Sequence, residues 1–158
     1  MPTVREFMTK DVVTIDAQKT VFEAAELMTQ REISDLVVCD GEKPVGIVTE
    51  RDFVRRVVAK RMALTCKVSE IMSTPLWVVY ADNSLNEAAR KMVARKIRRL
   101  PVLEKNTLVG IITATDFAKH LSKKTVKEEI LEIFGQYSVP EFFDKPENAD
   151  NVRTSESK

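Results

Sequence analysis

The sequence predicts an α+β protein made of two copies of one β-α-β-β-α unit, related by a pseudo-twofold axis and packed sheet to sheet. Three observations predict it: the chain repeats itself at a fixed offset, each repeat alternates short β-branched runs with amphipathic stretches, and both repeats carry the same helix-start signal. Adding 64 to a residue number in the first half lands on its counterpart in the second, without a gap from Val4 to Arg55, and 18 of these 52 pairs are identical. Two copies make a pseudo-symmetric pair, whereas a solenoid needs about three or more. The predicted boundaries are residues 1–65 and 66–122 for the repeats, 123–146 for a C-terminal helix and docking segment, and 147–158 for a disordered tail.

Each element follows in order. Val12 to Ile15 and Trp77 to Tyr80 are rich in β-branched and aromatic residues and suit short strands. Thr20 and Ser84 then open helices, because each hydroxyl is followed three residues on by Glu23 or Glu87, the spacing of a capping box. Val21, Ala24, Ala25 and Met28 share one helical face, as do Leu85, Ala88, Ala89 and Met92. Leu36 to Cys39 with Val45 to Thr49, and Leu100 to Leu103 with Leu108 to Thr113, read as hairpins around the polar turns 40–43 and 104–107. A last helix is expected from about Asp52 to Ala63 and from about Asp116 to Leu121. Beyond the repeats, Val126, Ile130, Ile133 and Phe134 mark an amphipathic helix over 123–134 that Gly135 ends, and Tyr137, Val139, Phe142 and Phe143 follow as docking anchors. An apolar segment outside the repeat predicts a homodimer.

Composition narrows the function classes. With 44% hydrophobic and 31% charged residues the chain is globular, and 25 basic against 24 acidic residues argue against nucleic acid as an obligate partner. The basic runs Arg90 to Arg99 and Arg55 to Arg61 lack interleaved aromatic residues and read as solvated faces. No apolar run approaches the ~18 residues of a membrane span, and the N-terminus lacks the pattern of a signal peptide, so a cytoplasmic protein without a membrane partner is expected. Cys39 and Cys66 form no C-x-x-C pair and read as reduced thiols, and His120, the single histidine, has no companion ligand for a metal. The sequence holds no Ser-His-Asp, Cys-His or metal-ligand pattern, so no enzyme and no catalytic cofactor are expected.

Chemistry concentrates where the second strand of each hairpin ends. Thr49 and Thr113 each pass from a strand into a helix, where main-chain N–H groups lack helical partners and favour anions such as phosphate. Asp52 and Asp116 lie on the same first turns, where a carboxylate can accept hydrogen bonds from two vicinal ribose hydroxyls. Thr-x-x-Asp is also an ordinary helix cap; its appearance twice at the same offset favours the binding reading.

The segment Ile97-Arg98-Arg99-Leu100-Pro101-Val102 and the paired endings Gly46-Ile47-Val48-Thr49-Glu50-Arg51-Asp52 and Gly110-Ile111-Ile112-Thr113-Ala114-Thr115-Asp116 resemble tandem CBS domains over about residues 1–122. The first half departs from the pattern at Val37, where the second has Pro101. The resemblance implies a regulatory pair that binds AMP, ADP, ATP or S-adenosylmethionine in two clefts, each shared by both halves. Carried over residue by residue, one cleft joins Val13, Ile33 and Ser34 to Arg99, Thr113, Thr115 and Asp116. The other joins Trp77, Ile97 and Arg98 to Asp35, Thr49, Arg51 and Asp52. Trp77 reads either as a base platform or as core filling. Arg99 can pair with phosphate while Asp35 repels it, so the cleft assigned Arg99 is expected to bind a nucleotide more tightly. Such relatives commonly regulate a fused enzyme or transporter, which here implies a separate regulated protein. A nucleic-acid-binding protein and a ligand-free interaction scaffold are the alternatives.

Overall fold

The computed structural model describes residues 1–120, 130 and 132–134. The first repeat runs through α1 (Val4–Phe7), β1 (Thr14–Asp16), α2 (Val21–Arg31), β2 (Asp35–Asp40), β3 (Lys43–Thr49) and α3 (Glu50–Asp52), which continues as a π-helical stretch, Phe53–Val58. The second begins with a 3-10 turn, Val68–Glu70, followed by β4 (Val79–Tyr80), α4 (Leu85–Arg95), β5 (Arg99–Glu104), β6 (Thr107–Thr113) and α5 (Ala114–His120). Two three-stranded sheets result, ordered β1-β2-β3 and β4-β5-β6, with the first pair of each parallel and the second antiparallel. Both predicted capping boxes form: Thr20 and Ser84 accept from the N–H of Glu23 and Glu87 at 3.1 and 3.2 Å. Each of these helices ends on a left-handed residue, Glu32 or Lys96.

The two faces of a strand explain the core. Leu36 and Val38 of β2 pack with Val21, Ala24 and Met28 of α2, while Val37 and Cys39 on the opposite face meet Ile111 of the other sheet. A strand buried on both sides reads as a continuous apolar run, which is why Leu36 to Cys39 shows no alternation. Cys39 and Cys66 are both free thiols. Among the described residues no helix is long and apolar enough to cross a membrane.

The repeats exchange their leading segments. Val4 and Phe7 lie in the core of the second repeat, with Leu85, Ala88 and Leu100, and Val68 and Ile71 lie in the core of the first. The backbone obeys the same offset: Thr9 bridges Ile111 as Ser73 bridges Ile47, and Thr3 bridges Ser84 as Lys67 bridges Thr20. A Cβ on Gly46 would meet Met72 Sδ at 2.6 Å, and one on Gly110 would meet Met8 Sδ at 2.5 Å, so both glycines admit the other repeat's leader. Arg5 holds its leader down through Glu104 (2.7 Å) and Asp82 (3.1 Å), and this guanidinium keeps the Glu104 carboxyl below the usual carboxylate range. Boundaries drawn at residue 65 therefore separate the sequence repeats but not the packing units.

Other expectations shift in detail. The first strands start later than predicted, at Thr14 and Val79, because pairing stops where the chain leaves for the other repeat. The hairpin turns tighten to Gly41-Glu42 and Lys105-Asn106, with Gly41, Lys105 and Asn106 at positive φ. The helix expected over Asp52 to Ala63 is instead α3 with its π-helical continuation, where Ala59 N–H donates to Val54 O and Met62 N–H to Val57 O. Of the C-terminal helix, Ile130, Ile133 and Phe134 are helical and buried in the second core, with Phe134 edge-to-face on Phe117 at 6.3 Å. Val126, the docking anchors and the tail lie outside the described residues.

Candidate functional site

The threonine and aspartate of each ending settle into a local cap. The N–H and O–H of Thr49 donate to Asp52 Oδ2 at 2.9 and 3.2 Å, and those of Thr113 donate to Asp116 Oδ2 at 2.8 and 3.0 Å. The other carboxylate oxygen faces the opposite repeat's leader, where Ser73 Oγ lies 3.4 Å from Asp52 Oδ1 and Thr9 Oγ1 lies 3.4 Å from Asp116 Oδ1. Asp52 and Asp116, at 7% and 6% exposure, are the buried charged residues among those described. Burying a carboxylate is costly unless it is hydrogen-bonded, and here one oxygen is satisfied by the cap while the other has only long contacts. Arg56 approaches Asp52 Oδ1 at 3.7 Å and donates to the carbonyls of Ile71 and Met72 at 3.0 and 2.9 Å, tying the π-helical stretch to the second leader.

Each aspartate opens onto a cavity lined by both repeats. The first, of about 940 Å³, contains Val13, Ile33, Ser34, Thr113, Thr115 and Asp116, together with Asp35. The second, of about 610 Å³, contains Thr49, Arg51, Asp52, Trp77, Ile97 and Arg98, together with Arg99 and Ser34. Arg99 and Asp35 thus stand in the opposite cavities from those the sequence assigned. The reason is their ion pair: Arg99 Nε lies 3.1 Å from Asp35 Oδ2, with side chains 25% and 20% exposed. Nε is buried without an aligned hydrogen bond, so the contact is an ion pair of imperfect geometry. The expectation that Arg99 strengthens nucleotide binding beside Asp116 is corrected accordingly, since Arg99 lines the cavity of Asp52 and not that of Asp116.

Trp77 stands between the core and the second cavity. It lines the second cavity, packs against the second core, and carries the Arg95 guanidinium 3.7 Å from its ring centroid. The basic run around it is more than a solvated face, since Lys91 Nζ also donates to Val78 O at 2.7 Å and Lys96 lines the cavity. Sequence reasoning missed Thr9 and Ser73, although the offset pairs them as two hydroxyls. It also missed Asp11, Glu32, Glu50 and Lys119 on the first cavity, where only the fold brings them together. No cluster that could hold a metal ion occurs among the described residues.

Known proteins share this fold. The family model described as CBS domain matches residues 4–59 and 68–123. The CBS domain-containing protein YhcV of Bacillus subtilis is 36% identical over 118 residues, covering 75% of this chain and 84% of its own length. The CBS domain pair of protein MJ0100, solved in complex with 5-methylthioadenosine and S-adenosyl-L-methionine, is 25% identical with a TM-score of 0.70, covering 78% of this chain and 98% of that one. The hexameric CBS-CP12 protein from bloom-forming cyanobacteria is 36% identical with a TM-score of 0.69, covering 79% and 74%.

Proposed function

The chain belongs to the CBS-domain family, which it matches twice along its length, and from that premise we propose that it is a regulatory module binding an adenosyl compound in the cavities between its repeats. One observation carries the reading: Asp52 and Asp116 occupy equivalent positions, are buried, and each keep one oxygen clear of their own cap. That oxygen suits the vicinal hydroxyls of a ribose, and the apolar walls at Val13 and Ile33, or Trp77 and Ile97, suit a base. The complex of the MJ0100 pair with two adenosyl compounds supports the ligand class. AMP, ADP, ATP and S-adenosylmethionine are the ligands to try.

The module acts by offering a ligand-dependent surface to the protein it regulates rather than by catalysis, and it works in the cytoplasm. A second copy is the proposed partner in assembly, a reading supported by the hexameric relative, and light scattering at high concentration returning a monomer mass would remove it.

A melting panel with those four compounds tests the ligand. A ligand present at 100 times its dissociation constant adds about 2.7 kcal/mol of stability. Asp52→Ala and Asp116→Ala should each remove the shift contributed by one cavity, and a panel without any shift would leave the scaffold reading in its place.

A further inference from the structure

The two cavities are one design with opposite electrostatics. Position by position under the offset of 64, Lys96, Arg98, Arg99 and Arg51 of the second cavity are matched in the first by Glu32, Ser34, Asp35 and Thr115. The second wall holds four cations against two carboxylates, Glu50 and Asp52. Among the described residues, the first holds Lys119 against five carboxylates, of which Asp11, Glu50 and Asp116 complete the set. A cleft lined by one sign of charge concentrates ligands of the other, because its low-dielectric walls focus the field. The Asp35–Arg99 pair stands between the two, Asp35 lining the first and Arg99 the second, and its mutual neutralisation offsets part of one charge in each.

Resting on the adenosyl reading above, we infer that the cavities divide the ligands by charge. The second takes a phosphorylated adenosine, its phosphates met by Arg51, Lys96, Arg98 and Arg99. The first takes an adenosyl compound that carries no phosphate and is neutral or cationic at the far end of its ribose. Trp77 adds an aromatic wall to the second cavity, where the first has Val13.

The single tryptophan makes the division measurable, because Trp77 lines the second cavity and not the first. ATP and S-adenosylmethionine are titrated into the full chain by calorimetry while Trp77 emission is followed. ATP should bind with one equivalent and change the emission, and Arg51→Ala or Lys96→Ala, checked by melting for intact folding, should weaken it about tenfold or more, as expected for a lost charge-assisted contact. S-adenosylmethionine should bind with one equivalent and leave the emission unchanged. Asp116→Asn should weaken it by a similar factor and leave ATP within about twofold. Direct competition between the two compounds, or two equivalents of either, overturns the division while leaving the adenosyl reading in place. Binding of neither compound overturns both.

Discussion

Asp35 and Arg99 are the same position in two repeats, yet they meet as an ion pair, Asp35 lining one cavity and Arg99 the other. The doubled Thr-x-x-Asp was legible in the sequence because its parts lie three residues apart and recur in register. The side on which Arg99 leans was not, since a repeat offset reveals equivalence and says nothing of the direction a long side chain takes beside a symmetry axis. The glycines belong to the same scale. Gly110→Ala would place a Cβ 2.5 Å from Met8 Sδ and 3.0 Å from the Thr9 carbonyl oxygen. Methionine can move aside but the carbonyl cannot do so freely, so a loss of about 1–3 kcal/mol is expected in urea unfolding. Adding Met8→Ala should recover only part of it, and a fully recovered midpoint would show that the carbonyl contact is harmless.

At the scale of elements, the helices that cover the sheets were readable because their start signals are local. Ser84 N–H donates to Glu87 Oε2 at 2.7 Å, and Thr20 N–H donates to Glu23 Oε2 at 2.8 Å. These backbone hydrogen bonds hold both carboxyls below their ordinary range. A carboxyl whose pKa is lowered by folding stabilises the protein above its unfolded value, about 4.3, and that contribution disappears as pH falls through the folded value. Glu87→Gln should therefore melt below the native protein at neutral pH, and the gap should close on acidification past that range. Ser84→Ala should cost about 1 kcal/mol by the same denaturation measurement. The π-helical stretch escaped the sequence reading, as did its distant tie: Arg56 reaches the carbonyls of Ile71 and Met72, residues of the other leader.

For the whole molecule, the offset established that the halves are alike, but it could not show which half each leader serves. Val4 and Phe7 complete the second core and Val68 and Ile71 the first, and each fully buried apolar side chain contributes about 1.5–3 kcal/mol. Fragments 1–63 and 64–158, prepared separately, should each lack a cooperative melt, and an equimolar mixture should regain one by circular dichroism. Cooperative melting of either fragment alone, at a dilution where it is a monomer by light scattering, would show that the exchange is dispensable.

A polypeptide with only one such unit would have to satisfy its core by trading leaders with an identical twin, and its survival would then depend on dilution. Tethering both copies in one chain turns that encounter into an intramolecular one. It also lifts a constraint that identical twins cannot escape, because a position that meets its own counterpart across the axis can set an acid against a base only when the two copies are free to differ.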